Sequence, residues 1–167
     1  QGLSKGNKME VIFQKGTEVG VKEFYTVATD RSVVKIKEIK KEQSKVERWN
    51  AITEEAAKQS KRDIIPKVRD ILSFKDMIEL LKDEDHIIVP YENEENLSIG
   101  ESIRDLKQGK INIVIGPEGG FEAEEIKALK SIGARIVTLG PRILRTETAG
   151  LVTATIVLYE AGNMGVI

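Results

Sequence analysis

Beginning at His86 the sequence alternates between short, nearly continuous apolar runs and amphipathic stretches. The spacing predicts strands over 86–90, 111–115 and 135–139, and helices over 99–107, 122–132 and 147–160. Parallel strands need a crossover between them, and strands apolar along most of their length are those covered on both sides. This β-α-β-α-β-α rhythm therefore points to an α/β fold, a mostly parallel sheet with helices on both faces. No repeat of fixed period and no linker interrupts it, and only 93–96 reads as a long acidic loop. At 167 residues the chain has the length of one ordinary domain.

The preceding half is less regular. A helix is expected over 8–19, with Met9, Ile12, Phe13 and Val19 on one face and Gly20 as its stop. Strands over 24–28 and 32–36 flank the polar turn Thr29-Asp30-Arg31, and a lysine-rich connection follows. The stripe Trp49, Ile52, Thr53, Ala56 and Ala57 predicts a half-buried helix over 46–60, in which Trp49 belongs to the core. A short strand over 64–68 and a helix capped by Ser73 and running to 82, with Asp76 at its third position, complete this half. His86, opening its strand, reads as structural.

Composition removes much chemistry. With no Cys there are no disulfides, zinc ribbons, iron–sulfur clusters or thiol nucleophiles, and a single His rules out a His-rich metal site, so no metal is expected. No apolar stretch approaches the ~20 residues of a membrane helix, and no basic start with an apolar segment marks a secretory signal. A cytoplasmic protein is expected. The net charge of −1 hides an asymmetry: residues 1–62 carry 14 Lys/Arg against 9 Asp/Glu, and the remainder is acidic. A basic half can attract a polyanion, although on charge alone an ordinary solvated surface is the favoured account of the lysines. The start at Gln1-Gly2 rather than Met is what a piece of a longer protein would show.

Ligands of open parallel sheets bind beyond the carboxyl ends of the strands. Three such ends stand out here. The first is Val89-Pro90-Tyr91-Glu92. The second, Gly116-Pro117-Glu118-Gly119-Gly120-Phe121 after Ile115, lacks the glycine and lysine spacing of phosphate loops, and its Glu118 would repel a phosphate held by backbone amides. A carboxylate there suits a nucleoside with a positive centre, a description that S-adenosylmethionine meets. Taken alone, the same glycines also serve a plain tight turn. The third runs from Leu139 and Gly140 through Arg142, Ile143, Leu144 and Arg145 to Thr146, Glu147 and Ala149. Thr146 suits an N-cap and Glu147 a first-turn acid, but two arginines around an apolar pair have no such reading. In a cleft they offer hydrogen bonds to an anionic substrate, while Ile143 and Leu144 flank a purine.

Together the second and third segments resemble the signature of the SPOUT (α/β-knot) methyltransferases, specifically the family (RsmE type) that methylates N3 of a uridine in 16S ribosomal RNA. The resemblance extends over nearly the whole chain, through Lys8-Met9-Glu10, Gln14-Lys15, Glu18-Val19-Gly20-Val21, Arg31-Ser32, Glu47-Arg48-Trp49, residues 55–60, Arg62 and Pro66. It implies a C-terminal trefoil knot, which composition never predicts. It also implies a homodimer, 16S ribosomal RNA or the small ribosomal subunit as partner, and an S-adenosylmethionine site formed by the three loops. That site comprises Pro90, Tyr91, Ile115, Gly116, Pro117, Glu118, Gly120, Leu139, Gly140, Ile143, Leu144, Thr146 and Ala149. The family's N-terminal β-barrel RNA-binding domain has no counterpart here, so residues 1–167 resemble the catalytic domain only.

For N3 methylation, Arg145 and then Arg142 are the candidates to stabilise charge on the uridine oxygens. Glu147 has two readings, proton acceptor or helix-terminal acid. Lys15, Glu18, Arg31, Arg48, Gln59 and Arg62 match the family pattern as RNA contacts or supports of the site, with surface ion pairs as the alternative. Thr146, Gly150 and Ala154, with Ala149 beside them, give the last helix a narrow face that suits either a second copy or the sheet of its own chain. Two rival functions remain: ribose 2′-O methylation, and a non-catalytic RNA- or ribosome-binding module.

Overall fold

The computed structural model describes residues 1–32, 39–104, 106 and 109–164. In chain order the elements are α1 (Lys8–Val19), β1 (Glu23–Ala28), α2 (Ile39–Gln59), β2 (Lys67–Ser73), α3 (Phe74–Leu81), β3 (His86–Pro90), α4 (Ile99–Ile103), β4 (Ile111–Ile113), α5 (Ala123–Ser131), β5 (Arg135–Val137) and α6 (Thr146–Glu160). The fold is mixed α/β with parallel sheets. β3 is central, with β4 on one side and β5 on the other, and β1 pairs with β2 through a register shift between Phe24 and Thr26.

A short segment at the beginning of the chain joins these two sheets. Gly2 bridges Val27 of β1 in parallel, Leu3 N–H donates to the Val27 carbonyl at 2.9 Å, and Gly2 N–H donates to the Ile115 carbonyl, just past β4, at 2.7 Å. Glycine is required there. A Cβ on Gly2 would lie 2.5 Å from the Pro117 nitrogen and 2.6 Å from its Cδ.

β3 shows why its residues are apolar on both sides. Ile87 and Val89 join Met77 and Leu81 of α3, Phe121, and Ile126 and Leu129 of α5 in one cluster. Ile88 packs the other way, with Ile99 and Ile103 of α4 and Val157 of α6. A third cluster holds Leu3, Met9, Phe13, Phe24, Trp49 and Val68, in which the Phe13 ring lies 5.2 Å from Phe24 and 5.1 Å from Trp49. Trp49 is therefore core.

Several boundaries differ from expectation. The strand expected over 64–68 begins instead at Lys67. Ile64 and Ile65 precede Pro66, which has no N–H for a ladder, and both remain in solvent. Helix α2 begins at Ile39, taking in the lysine-rich connection, whose Lys, Glu and Gln residues are good helix formers. The strand expected over 32–36 falls almost wholly on 33–38, outside the described residues. The helix expected over 99–107 ends at Ile103, and residue 107 is likewise outside. β5 stops at Val137 because Thr138 N–H turns to the Leu97 carbonyl and the Thr138 carbonyl accepts from Ile99 N–H. At α6 the N-cap position falls to Arg145, not Thr146, whose hydroxyl is used elsewhere. The narrow face of α6 packs within its own chain: Thr146 and Ala154 are buried, and a Cβ on Gly150 would meet Ile115 at 3.6 Å.

Leu3 is 2% exposed inside the third cluster. Leu3→Ala should therefore cost about 2–5 kcal/mol, the range for truncating a buried leucine, read as a lowered midpoint in urea unfolding.

Candidate functional site

The loops leaving β3, β4 and β5 enclose a cavity of about 1000 Å³, open to solvent on one side. Every residue expected to hold the cofactor lines it, and so do Arg142, Arg145 and Glu147. The loop after β4 supplies the closest backbone. Gly120 has a left-handed φ of 68°, its N–H donates to the Pro117 carbonyl at 3.0 Å, and a Cβ on it would stand 2.4 Å from Glu92 Oε1. Here glycine is demanded by the backbone angle, while the Glu92 carboxylate resting on it is the movable end of a flexible side chain.

Thr146 ties the third loop to the second. Its hydroxyl donates to the Gly116 carbonyl at 2.6 Å and accepts from Gln1 Nε2 at 2.9 Å. Glu118 turns toward the start of α1, where its Oε1 accepts from Lys5 N–H and from Lys8 Nζ, each at 2.9 Å. Burial pulls the Glu118 carboxyl upward, but these two donors outweigh it and hold the group below its ordinary value. Arg31 crosses from the end of β1 to the same loop, forking onto Glu122 at 2.6 and 2.9 Å and donating to the Gly119 carbonyl at 2.9 Å. That pairing holds the Glu122 carboxyl low as well.

The cavity is divided in charge. Glu92, Glu94 and Glu95 follow β3, Glu118 follows β4, and Arg142 and Arg145 come from the third loop. Neither arginine forms an ion pair with a described residue. Ile143 between them is 88% exposed. Glu147 Oε2 is buried without a hydrogen-bond partner among the described residues. Nowhere among those residues do three His, Cys, Asp or Glu side chains gather to hold a metal ion, and no helix is long and apolar enough to cross a membrane.

A model of the RNA methyltransferase domain family matches residues 1–158 of this cavity-bearing chain. The chain belongs to that family. It is 41% identical over 164 residues to the ribosomal RNA small subunit methyltransferase E of Bacillus subtilis (strain 168), covering 95% of this chain and 64% of that protein. Its identity to the enzyme of the same name from Mesomycoplasma hyopneumoniae (strain 232) is 35% over 154 residues, covering 92% and 65%. A crystal structure of ribosomal RNA small subunit methyltransferase E from Neisseria gonorrhoeae, bound to S-adenosyl methionine, superposes with a TM-score of 0.84 at 30% identity over 95% of this chain and 63% of that one. The chain thus spans less than two thirds of each relative's length.

Within this RNA methyltransferase domain the six residues named as RNA contacts or supports do not form one patch. Lys15 pairs with Glu18 at 2.8 Å beside Gln59, in a groove between α1 and α2. Arg48 pairs with Glu10 at 2.5 Å. Arg62 closes the end of α1 by donating to the Thr17 and Val21 carbonyls at 2.8 Å. Arg31 alone reaches the cavity's glycine loop. Sequence reasoning had Glu92 and Lys8 only as members of longer motifs, and gave no site role to Glu94 or Glu95. The acidic run directly after β3 was a usable signal, since it follows a parallel strand's carboxyl end. For Lys8 the resemblance was the only signal, and the structure brings its Nζ to Glu118 at the cavity.

The acid limb of stability should follow these carboxylates. A group held low when folded contributes stability that is fully present above its unfolded value of about 4.3 and is lost as pH falls through the folded value. Melting temperature scanned from neutral pH into acid should therefore drop below about pH 4, and Glu118→Gln should make that drop shallower. Gly120→Ala should lower stability by roughly 1–2 kcal/mol in urea, the cost of a left-handed alanine.

Proposed function

We propose that residues 1–167 are the catalytic domain of a cytoplasmic enzyme that uses S-adenosylmethionine to methylate N3 of a uridine in 16S ribosomal RNA. The observation that carries this reading is the cavity in which three βα loops meet, lined by glycines and divided between carboxylates and arginines. Its volume suits a nucleoside-sized ligand. The bare Cα of Gly120 permits close approach, and the carboxylates of Glu92, Glu94 and Glu95 suit a cationic ligand without phosphates. Pro90, Tyr91, Leu139 and Leu144 would hold the apolar part of the cofactor, and backbone at Gly116, Gly120 and Gly140 its polar edges. When bound, S-adenosylmethionine supplies an electrophilic methyl group.

The chain's own residues then have separate tasks. Holding the uridine in line removes much of the entropic barrier. The guanidinium of Arg145, with Arg142 as the second candidate, favours negative charge on the carbonyl oxygens flanking N3. Glu147 Oε2, buried and unpartnered, is the oxygen that would take the N3 proton. The same reading includes a trefoil knot, supported by the way β5 crosses to the far side of β3 before α6 returns past β4 to α1. It includes a homodimer too. α6 is apolar almost all round, and Tyr159 on it is exposed beyond the face that its own chain covers. A small-subunit ribosomal RNA partner fits the basic residues of 1–62.

Titration calorimetry should show S-adenosylmethionine binding, and at a hundredfold excess over the dissociation constant the ligand should stabilise the fold by about 2.7 kcal/mol. No heat and no thermal shift at millimolar cofactor would sink the enzyme reading. Nucleosides from methylated small-subunit RNA, separated by mass spectrometry, should contain 3-methyluridine, and a 2′-O-methyl nucleoside instead would favour the ribose-directed rival. In single turnover Arg145→Lys should keep cofactor affinity yet lose about 10²–10³-fold in rate, because an ammonium cannot reproduce the guanidinium fork. Glu147→Gln should lose rate with little change in melting temperature if it is the proton acceptor, and the reverse if it serves the helix end.

A further inference from the structure

Two consecutive glycines leave the peptide between them unusually free to rotate, since neither flanking residue has a Cβ to resist it. In the loop after β4 that peptide is nevertheless held at both edges. The N–H of Gly120 donates to the Pro117 carbonyl at 3.0 Å, and the Gly119 carbonyl accepts from Arg31 Nη1 at 2.9 Å. The first bond is made within the loop. The second comes from the end of β1, in the other sheet.

Arg31 is delivered there by a built turn. Thr29 and Ser32 are buried, Thr29 N–H donates to Ser32 Oγ at 3.0 Å, and Ser32 N–H returns to the Thr29 carbonyl at 3.0 Å. Beside it Asp30 N–H donates to Glu125 Oε1 at 3.1 Å, and the second oxygen of that 4%-exposed carboxylate takes Glu122 N–H at 2.8 Å. Arg31 Nε and Nη2 fork onto Glu122, and the remaining nitrogen, Nη1, meets the Gly119 carbonyl. The approach is close: a Cβ on Gly119 would stand 3.1 Å from the Arg31 Cβ. An exposed ion pair alone contributes little, so the carbonyl contact is the specific part of this arrangement.

We propose that Arg31 is a positioning residue for the nucleoside cavity: by gripping the Gly119 carbonyl it fixes the Gly119–Gly120 peptide and with it Gly120, which lines the cavity. This deepens the methyltransferase reading and rests on it for the identity of the ligand. Arg31 touches neither cofactor nor RNA in this account, and acts through the peptide alone.

The test separates the two ideas. In protein labelled with ¹⁵N-glycine and free of ligand, Arg31→Ala should speed hydrogen exchange at the Gly120 amide about tenfold or more, the loss expected for a hydrogen bond to a charged group. Glu122→Gln, which removes the ion pair but leaves the Gly119 carbonyl contact, should change it by less than about fivefold. Millimolar guanidinium should restore the slow exchange of Arg31→Ala. By calorimetry S-adenosylmethionine should bind Arg31→Ala about tenfold or more weakly and Glu122→Gln nearly as wild type, with turnover of Arg31→Ala at saturating cofactor little changed. Unchanged Gly120 exchange in Arg31→Ala overturns the proposal, and so does equal weakening by both variants, which would mark a general ion-pair role. Loss of RNA affinity with Gly120 exchange unaltered would assign Arg31 to the RNA instead. If the wild type binds no S-adenosylmethionine, the cofactor reading fails, while the exchange measurement still decides the role of Arg31.

Discussion

The order of the three central strands sets everything that happens at the cavity. Because β4 and β5 lie on opposite sides of β3, the loops leaving these strands must part, and a crevice opens where they do. The alternation of Ile87, Ile88 and Val89 between two cores keeps that arrangement rigid, with α3 and α5 on one face and α4 and α6 on the other. Loops carrying glycine, proline and arginine can then be irregular without loosening the molecule, since the strands beneath them are packed on both sides.

The crevice is completed by residues from distant parts of the chain, each held by a specific polar contact. Thr146 binds the Gly116 carbonyl, Glu118 receives Lys5 and Lys8 from the start of α1, and Arg31 grips the loop from the end of β1. None of these contacts is strong by itself. Their value is geometric, because they fix a glycine-rich segment that has no side chains with which to fix itself.

Much of this was legible in the sequence because two periodicities rarely mislead. Apolar runs between amphipathic helices gave β3 through α6 to within a few residues, and Met9 with Phe13, or Trp49 with Ala56 and Ala57, marked buried helix faces. The cavity was legible too, since the carboxyl ends of parallel strands are where ligands bind, and three odd loops sat there. What escaped was whatever depended on long-range partners. β2 moved past Pro66 because its register is set by β1, and Thr146 lost the N-cap position to Arg145 because its hydroxyl had a better acceptor at Gly116. The small face of α6 could equally have met another molecule or its own sheet, and only the packing shows that Ile115 lies against it. Lys8 reached the cavity by a route no local pattern records.

The segment at Gly2 has a consequence for the order of folding. It lies between Val27 and Ile115, both later in the chain, so its slot does not exist until β1 and β4 have been brought side by side. Contacts between residues far apart in sequence are slow to form, because the entropy of closing the intervening loop is lost before they reward it. The Gly2–Ile115 bond closes a far longer loop than the pairing of β3 with β4 or β5, and is therefore expected to form after that pairing. Until then both sheets present an open edge, the state in which such a chain is most exposed to pairing with another copy of itself.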